Sequence, residues 1–148
     1  MPVNIAAMTL ADLDGVLEIE NLAFASPWSR ESFRHELTEN TRAVYIVADD
    51  GTAIVGYIGM WVIFEEGHIT NLAVHPNCRR QGIASRLLSE LCLIAKERGV
   101  QRLTLEVRRS NIGAQLLYAR HGFICSGVRR RYYRDNNEDA FIMWKSPI

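Results

Sequence analysis

Two arginines and a glycine, Arg79, Arg80 and Gly82, stand within residues 74–88, which read V-H-P-N-C-R-R-Q-G-I-A-S-R-L-L. The pattern predicts the end of an apolar strand, a short turn and the first turns of an amphipathic helix. A helix start leaves backbone N–H groups unpaired and presents the positive end of its dipole, and a glycine lets a ligand approach the main chain closely. The stretch therefore predicts a site for a phosphate-bearing ligand. An ordinary strand-to-helix connection would show the same pattern.

Two common nucleotide-binding motifs are absent from this turn. It lacks G-K-[ST], which supplies the lysine and the magnesium-binding hydroxyl of a P-loop, and it lacks G-x-G-x-x-G, the dinucleotide fingerprint. What remains is a pyrophosphate cradle without a metal ligand. The three cysteines, Cys78, Cys92 and Cys125, show no C-x-x-C spacing. Neither a zinc site nor a disulfide framework is therefore expected, and a reducing cytoplasm fits best.

The elements that must position this turn follow from the spacing of apolar residues. The first half of the chain predicts a strand at 3–8, helices beginning after Thr9 and Ser29, and an antiparallel meander of strands at 43–48, 53–63 and 68–74. The second half predicts a helix at 83–98, a strand at 102–107 parallel to the previous one, a helix at 111–121 and a hairpin of 124–133 with 140–144. The predicted fold class is α/β, with one mixed sheet, an antiparallel front half and a β-α-β-α-β back half. The chemistry is expected where the parallel strands end.

Composition limits the functions to consider. The chain has 148 residues, 48% of them hydrophobic, and equal numbers of acidic and basic residues, 17 of each. A single domain, 1–148, is expected, and the neutral balance does not favour general binding to nucleic acid or to a membrane surface. No leader pattern is visible, and no apolar stretch approaches the roughly 20 residues that span a bilayer. We therefore expect a soluble, cytoplasmic protein.

The residues around the turn carry a resemblance to a known family. R-R-Q-G-I-A at 79–84 matches the R/Q-x-x-G-x-G/A signature of the GNAT superfamily of N-acetyltransferases, and it follows N-L-A-V-H-P. The later stretches L-E-V-R-R-S-N, L-Y-A-R-H-G-F, R-R-R-Y-Y-R and E-D-A-F-I-M resemble the successive motifs of bacterial ribosomal-protein alanine N-acetyltransferases, and A-F-A-S-P-W-S resembles their substrate-side loop. Ala84 stands where many members have glycine, which the signature permits.

This resemblance implies the acyl-CoA N-acyltransferase fold, acetyl-CoA as cosubstrate and direct acetyl transfer to an amine, with no metal. The main chain at 72–74 would contact the acetyl-pantetheine end and offer N–H groups to the developing oxyanion, while 80–85 would hold the pyrophosphate. Asn111 corresponds to a family position that touches the cofactor, and it fits a plain helix N-cap equally well. The implied cofactor-binding residues are Leu72, Ala73, Val74, Arg79, Arg80, Gln81, Gly82, Ile83, Ala84, Ser85 and Asn111.

Acetyl transfer requires a proton acceptor, because an α-amino group with a pKa of about 8 is mostly protonated at neutral pH. Glu106 lies on the polar face of an alternating strand and matches the family glutamate in L-E-V-R. Without that match it reads as a solvated carboxylate. Tyr118, the tyrosine of L-Y-x-x-x-G-F, is assigned as the general acid for the leaving thiolate, with packing against the sheet edge as the alternative. His68 is a minor alternative acceptor. A covalent intermediate on Cys78 is not expected, because no base with an orienting group is evident beside it.

Two other histidines have structural interpretations. His75, next to a proline, is expected to be a turn residue. His121 precedes Gly122 and is expected to interact favourably with the C-terminal end of its helix.

On the acceptor side, Trp28 fits either a substrate-side loop or a plug for the core beneath the break between the first two helices. The run R-R-R-Y-Y-R at 129–134 could bind RNA or form a solvated face, and the neutral net charge disfavours RNA. The resemblance instead implies that Tyr133 and Glu138 orient a peptide N-terminus.

The expected function is acetylation of a protein N-terminus, above all the N-terminal alanine of the eighteenth small-subunit ribosomal protein. A GNAT enzyme acting on lysine, a polyamine or a drug amine is one alternative. A non-catalytic acetyl-CoA sensor or RNA-binding module is another.

Overall fold

A computed structural model of the chain describes residues 2–148. The strands are β1 (Asn4–Ala7), β2 (Ala43–Asp49), β3 (Ile54–Ile63), β4 (Glu66–Val74), β5 (Arg102–Arg108), β6 (Ile124–Tyr133) and β7 (Glu138–Lys145). The helices are α1 (Leu13–Ala23), α2 (Arg30–Thr38), α3 (Ile83–Glu97) and α4 (Ile112–Arg120), and short 3₁₀ turns occur at Leu10–Asp12 and Pro76–Cys78. The predicted order of strands and helices is confirmed.

One seven-stranded mixed sheet has the order β1-β2-β3-β4-β5-β7-β6. The front half is the predicted antiparallel meander, and β5 runs parallel to β4 as expected. The back half follows the order β-α-β-α-β along the chain, but β6 does not lie beside β5. Instead β7 pairs antiparallel with both β5 and β6. The chain therefore closes as a hairpin whose second strand occupies the free edge of β5.

Helices cover both faces of the sheet. The apolar stripe of α3, including Leu87, Leu88 and Leu91, packs in one cluster with Ile46 and Ile58 of the central strands. On the opposite face, Leu13, Val16 and Ile19 of α1 and Phe33 of α2 pack with Tyr45, Val47 and Tyr57. The alternation of β2 explains this division, because Ile46 lies in the first cluster and its neighbours Tyr45 and Val47 lie in the second.

The sheet opens at its centre. β4 pairs with β5 only from Glu66 to His68, opposite Arg102 to Thr104, and the two strands then diverge. In the pairing of β4 with β3, Gly59 lies opposite Asn71 but Met60 lies opposite Ile69, so Thr70 is an extra, bulged residue. A bulge bends its strand and increases the local twist. The remainder of β4 therefore runs away from β5 and leaves its backbone free on that edge.

Gly59 is required by the close approach of a neighbouring ring. A Cβ at this position would lie 2.0 Å from Cε1 of Tyr45, and that tyrosine is held because its hydroxyl donates to Glu36 and hydrogen-bonds Thr70. We expect Gly59→Ala to lower the free energy of unfolding by about 1–3 kcal/mol, measured by urea denaturation. Gly113→Ala is the matched control, because its Cβ would meet no atom within 4 Å, and it should be neutral or stabilising. Equal stability of the two variants would contradict the prediction.

Candidate active site

A cavity of about 890 Å³ lies where β4 and β5 diverge. Its walls come from the loop after α1, the outer half of β4, the start of α3, β5 and α4. All of the residues predicted from sequence to form the site line it, except Gln81, Glu138 and the alternative acceptor His68. Residues far apart in the chain, such as Trp28, Arg80 and Tyr118, therefore meet at one opening.

The predicted strand, turn and helix are present at the cavity mouth. Gly82 is the N-cap of α3 with a φ of 76°, in the left-handed region, and Arg80 has a φ of 64°. A Cβ on Gly82 would meet no atom within 4 Å, so backbone conformation rather than space favours glycine here. The first N–H groups of α3 have no partner inside the helix and, with the side chains of Arg79 and Arg80, make this end of the cavity electropositive.

The histidines near this turn have different roles. The Nδ1 atom of His75 accepts a hydrogen bond from the backbone N–H of Asn77 at 3.1 Å, which confirms a turn residue. The Nε2 atom of His121 lies 2.8 Å from the hydroxyl of Ser85. Burial, followed by the nearby cations Lys145 and Arg120, lowers the pKa of His121. His121 is the C-cap of α4, as its place before Gly122 predicts, and its surroundings favour the neutral imidazole, so an electrostatic interaction with the helix end stays a prediction.

Glu106 lies on β5 with its side chain only 12% exposed. Its Oε1 atom is 2.8 Å from Nε2 of His68, and its Oε2 atom is 3.7 Å from Nε of Arg129. The hydrogen bond from His68 is the main cause of a lowered Glu106 pKa, which burial opposes and Arg129 reinforces. The carboxylate is therefore ionised at neutral pH and is not the freely solvated group that the strand pattern alone suggests.

Tyr118 belongs both to the cavity wall and to the core. The residue is 7% exposed, and its ring packs 5.7 Å from the ring of Phe123, centroid to centroid. Burial, together with Tyr133, raises the pKa of the hydroxyl, which therefore stays protonated at neutral pH. The ring packs in the core rather than against the sheet edge, and the role of general acid stays a prediction.

Asn111 also combines two positions. Its side-chain oxygen accepts a hydrogen bond from the N–H of Ala114 at 3.1 Å, so the N-cap interpretation is confirmed. The same residue lines the cavity, and its contact with a cofactor stays a prediction.

The predicted acceptor-side residues separate into two groups. Trp28 and Tyr133 line the cavity, and Trp28 also packs on Phe33 with the ring centroids 5.3 Å apart. Glu138 does not line it. Its carboxylate accepts from the N–H of Ser110 at 2.6 Å and pairs with Arg108 at 3.3 Å, and these bonds lower its pKa to about 2. The guanidinium carbon of Arg108 in turn lies 4.0 Å from the centroid of the Tyr133 ring. Glu138 is therefore connected to the cavity wall only indirectly, by its ion pair with Arg108.

Glu20 is a cavity residue that the sequence analysis missed. It is 2% exposed, accepts from the N–H of Trp28 at 2.9 Å and from the hydroxyl of Tyr57, and its pKa is raised by burial. Its spacing offers a signal, because Glu20 falls four residues after Val16 on the stripe that faces the core. Beside it in the same wall, Asn71 has a buried side-chain nitrogen without a hydrogen-bond partner within residues 2–148.

Two further features are absent from the part of the chain that the structure describes. Within residues 2–148, no group of three or more His, Cys, Asp or Glu side chains is arranged to hold a metal ion. None of the four α-helices described above is long and apolar enough to cross a membrane.

Residues 13–123 match the sequence profile of the acetyltransferase (GNAT) family. The chain therefore belongs to this family of acetyltransferases. A relative from Salmonella typhimurium (strain LT2), 36% identical over 142 residues and covering 95% of each chain, is named [ribosomal protein bS18]-alanine N-acetyltransferase. A protein of Bacillus subtilis (strain 168) that carries the same name provisionally is 44% identical over 137 residues, 93% of this chain and 91% of that one.

Solved structures agree with the family match. The crystal structure of the ribosomal-protein-S18-alanine N-acetyltransferase from Escherichia coli superimposes with a TM-score of 0.89 at 34% identity, covering 99% of this chain and 94% of that one. An N-acetyltransferase from Thermoplasma acidophilum solved in complex with coenzyme A shares the fold, with a TM-score of 0.83 at 20% identity over 99% of each chain.

The raised pKa of Glu20 makes stability depend on pH. A carboxyl whose pKa is higher in the folded state contributes stability below its unfolded pKa and loses that contribution as pH rises through the folded value. Wild type should lose stability from pH 5 to pH 8 as Glu20 ionises, whereas the amide of Glu20→Gln does not ionise and still accepts from Trp28. The unfolding free energy of the variant minus that of wild type should therefore increase over this range. Urea denaturation at both pH values measures this difference. The exposed Glu31, changed to glutamine, is the control, and a pH-independent difference for Glu20→Gln would refute the interpretation.

Proposed function

We propose that this enzyme transfers acetyl from acetyl-CoA directly to a protein N-terminal α-amino group, and that its acceptor is the N-terminal alanine of ribosomal protein bS18. One observation carries the proposal: an ionised carboxylate, a protonated phenol and an electropositive helix start line the same cavity. The names of the Salmonella and Escherichia coli relatives support the acceptor. Such an acceptor is met in the cytoplasm, where we place the reaction.

The start of α3 is suited to the pyrophosphate of acetyl-CoA. Residues 75–85 contain no aspartate or glutamate, so the phosphates meet only positive or neutral groups there. The free N–H groups after Gly82 donate to phosphate oxygens, and Arg79 and Arg80 neutralise part of the charge. In this proposal Ser85 and Asn111 complete the cofactor contacts from the two helices, and no metal is required.

The free edge of β4 serves the acyl group. Leu72, Ala73 and Val74 line the cavity beyond the last pair with β5, where the backbone has no strand partner on that side. Backbone N–H groups in this position would donate to the thioester oxygen, and most strongly to the oxyanion that forms when the carbonyl is attacked. This arrangement favours the transition state over the bound thioester.

The proton steps use Glu106 and Tyr118. The α-ammonium group first loses one proton to solvent and binds as the neutral amine. As this amine forms its bond to the carbonyl carbon, the nitrogen becomes positively charged and its N–H becomes strongly acidic. Glu106, although its pKa is lowered, is then a competent acceptor for that proton. The C–S bond breaks on collapse, and the Tyr118 hydroxyl donates its proton to the leaving sulfur. The products are the acetylated N-terminus and coenzyme A, and passage of the proton from Glu106 to the Tyr118 phenolate through solvent restores both groups.

The acceptor enters beside Trp28 and Tyr133 in this proposal. The Trp28 backbone is tied to Glu20, and Tyr133 is covered by the Arg108 guanidinium, so both rings are held before the peptide binds. Preorganised aromatic walls reduce the entropy lost on binding. Glu138 then acts on the acceptor indirectly, by holding Arg108.

Removing either proton-transfer group tests the mechanism. With an alanine-starting peptide, Glu106→Gln should lower kcat by about 10²–10⁴-fold and Tyr118→Phe by at least about tenfold, because each removes a proton-transfer group while keeping its shape. Steady-state kinetics should show little change in the KM for acetyl-CoA. Glu66→Gln is the control, since it breaks an ion pair with Arg102 at the other end of β4 and should leave kcat unchanged. Full activity of both site variants would rule out the assignment of these two residues as the proton-transfer groups.

A direct comparison of acceptors tests the substrate. We expect kcat/KM to be highest for a peptide with the bS18 N-terminus, and to fall to background for the same peptide with a blocked N-terminus, for an internal lysine peptide and for spermidine. Mass spectrometry of ribosomal proteins from a deletion strain is the second readout. Loss of the acetyl group from bS18 is expected, whereas an unchanged acetylation pattern would refute this acceptor.

A further inference from the structure

His68 and Glu106 meet at the point where the central strands separate. His68 lies opposite Thr104 in the last pair of the β4–β5 ladder, and Glu106 is two residues further along β5. Residues two apart in a strand point to the same face, so Thr104 and Glu106 share one side of the sheet. The imidazole spans the opening between the strands, with its Nε2 atom 2.8 Å from Oε1 of Glu106.

The protonation of this contact follows from the charge of the carboxylate. An ionised carboxylate can only accept hydrogen bonds, so Nε2 of His68 must carry the proton that lies between them. The other oxygen of Glu106, Oε2, has Arg129 at 3.7 Å, which is beyond ordinary hydrogen-bond length. The contact with His68 therefore uses one oxygen and leaves the other able to accept a proton.

The imidazole of His68 is also fixed by contacts from β3. His68 is the cross-strand neighbour of Trp61 on β3, and the two rings meet edge to face with their centroids 6.1 Å apart. The indole N–H of Trp61 donates to Glu36, a buried carboxylate that also accepts from the hydroxyl of Tyr45. A series of packed and hydrogen-bonded groups thus fixes the direction in which His68 points.

His68 does not line the cavity, whereas Glu106 does. We propose that His68 is a positioning residue for acetyl transfer: its Nε2–H holds Oε1 of Glu106 so that Oε2 receives the proton of the attacking amine. The inference rests on the proposed role of Glu106 as the base. It assigns His68 no contact with the substrate and no proton transfer of its own.

The groups that face Glu106 determine what its titration should show. They are His68 from β4, and Arg129, Tyr132 and Tyr133 from β6. Of these, the hydrogen bond from His68 contributes most to the lowered Glu106 pKa. Loss of that donor should let the pKa rise towards the ordinary range, and the acid limb of kcat should move to higher pH with it.

The test compares the single variants His68→Ala, His68→Gln and Glu106→Gln with the double variant that combines His68→Ala and Glu106→Gln. All are assayed in the full chain with saturating acetyl-CoA and an alanine-starting peptide. We expect His68→Ala to lower kcat about tenfold at neutral pH, which is less than the loss expected on removing the base itself. The KM for the peptide should not change, and the acid limb of the kcat–pH profile should move to higher pH. Glutamine places an N–H donor near the position of Nε2, so His68→Gln should recover most of kcat and return the limb towards wild type. Because His68 acts only through Glu106, the double variant should be no slower than Glu106→Gln.

Each contrary result has a distinct meaning. The positioning role would be overturned if His68→Ala kept the wild-type kcat and pH profile, or if its kcat fell by the same factor at every pH. Glu106 would remain the base in both cases. A double variant about tenfold slower than Glu106→Gln would also overturn it, because His68 would then act independently. Full kcat in Glu106→Gln would refute the base assignment and this inference together. Glu66→Gln, on the same strand as His68, controls for a general loosening of β4.

Discussion

The separation of β4 from β5 is the constraint on which the site depends. The two strands pair only from Glu66 to His68, and the bulge at Thr70 directs the rest of β4 away from its neighbour. Divergence opens the cavity, frees the backbone of 72–74 and exposes Glu106 at the end of the shortened ladder. A fully paired sheet would have bonded these backbone groups to β5 and closed the space. The gap costs hydrogen bonds within the sheet, and the large apolar clusters on both faces maintain the fold around it.

Charge is arranged in opposite senses at the two ends of this gap. The turn before α3 offers arginines and unpaired N–H groups, while the ionised carboxylate lies on β5. The positive turn suits a polyanionic acyl donor, and the carboxylate of Glu106, which has Arg129 at 3.7 Å, suits an amine acceptor. The chain has no net charge, so the polarity of the site arises entirely from where the folded elements place equal numbers of acids and bases.

Buried acidic side chains hold two tryptophan residues in place. Glu20 and Glu36 are 2% and 7% exposed, and they accept hydrogen bonds from uncharged hydroxyl, indole, amide and backbone donors. Neutral donors offset part of the desolvation cost of an acid and also fix direction, because each hydrogen bond has a narrow geometry. Glu20 holds the backbone of Trp28, and Glu36 holds the indole of Trp61 behind His68. Polar groups in the core thereby fix residues in the cavity wall and next to Glu106.

The sequence by itself determined the order of the elements and the local features of the site. Apolar spacing located the helices, and Gly82 with its arginines marked the turn, because these signals depend on neighbours a few residues away. Glu106 was selected by the resemblance of L-E-V-R to a family motif, since its strand pattern alone indicates a solvated carboxylate. Only the tertiary structure decided that β7 lies between β5 and β6, that Glu138 binds Ser110 and Arg108, that His121 pairs with Ser85, and that Glu20 is buried in the cavity wall. The contact of His68 with Glu106 belongs to this second group, because the two residues are 38 positions apart. Contacts across that distance depend on which strands become neighbours and where they separate, and sheet order and the bulge establish both.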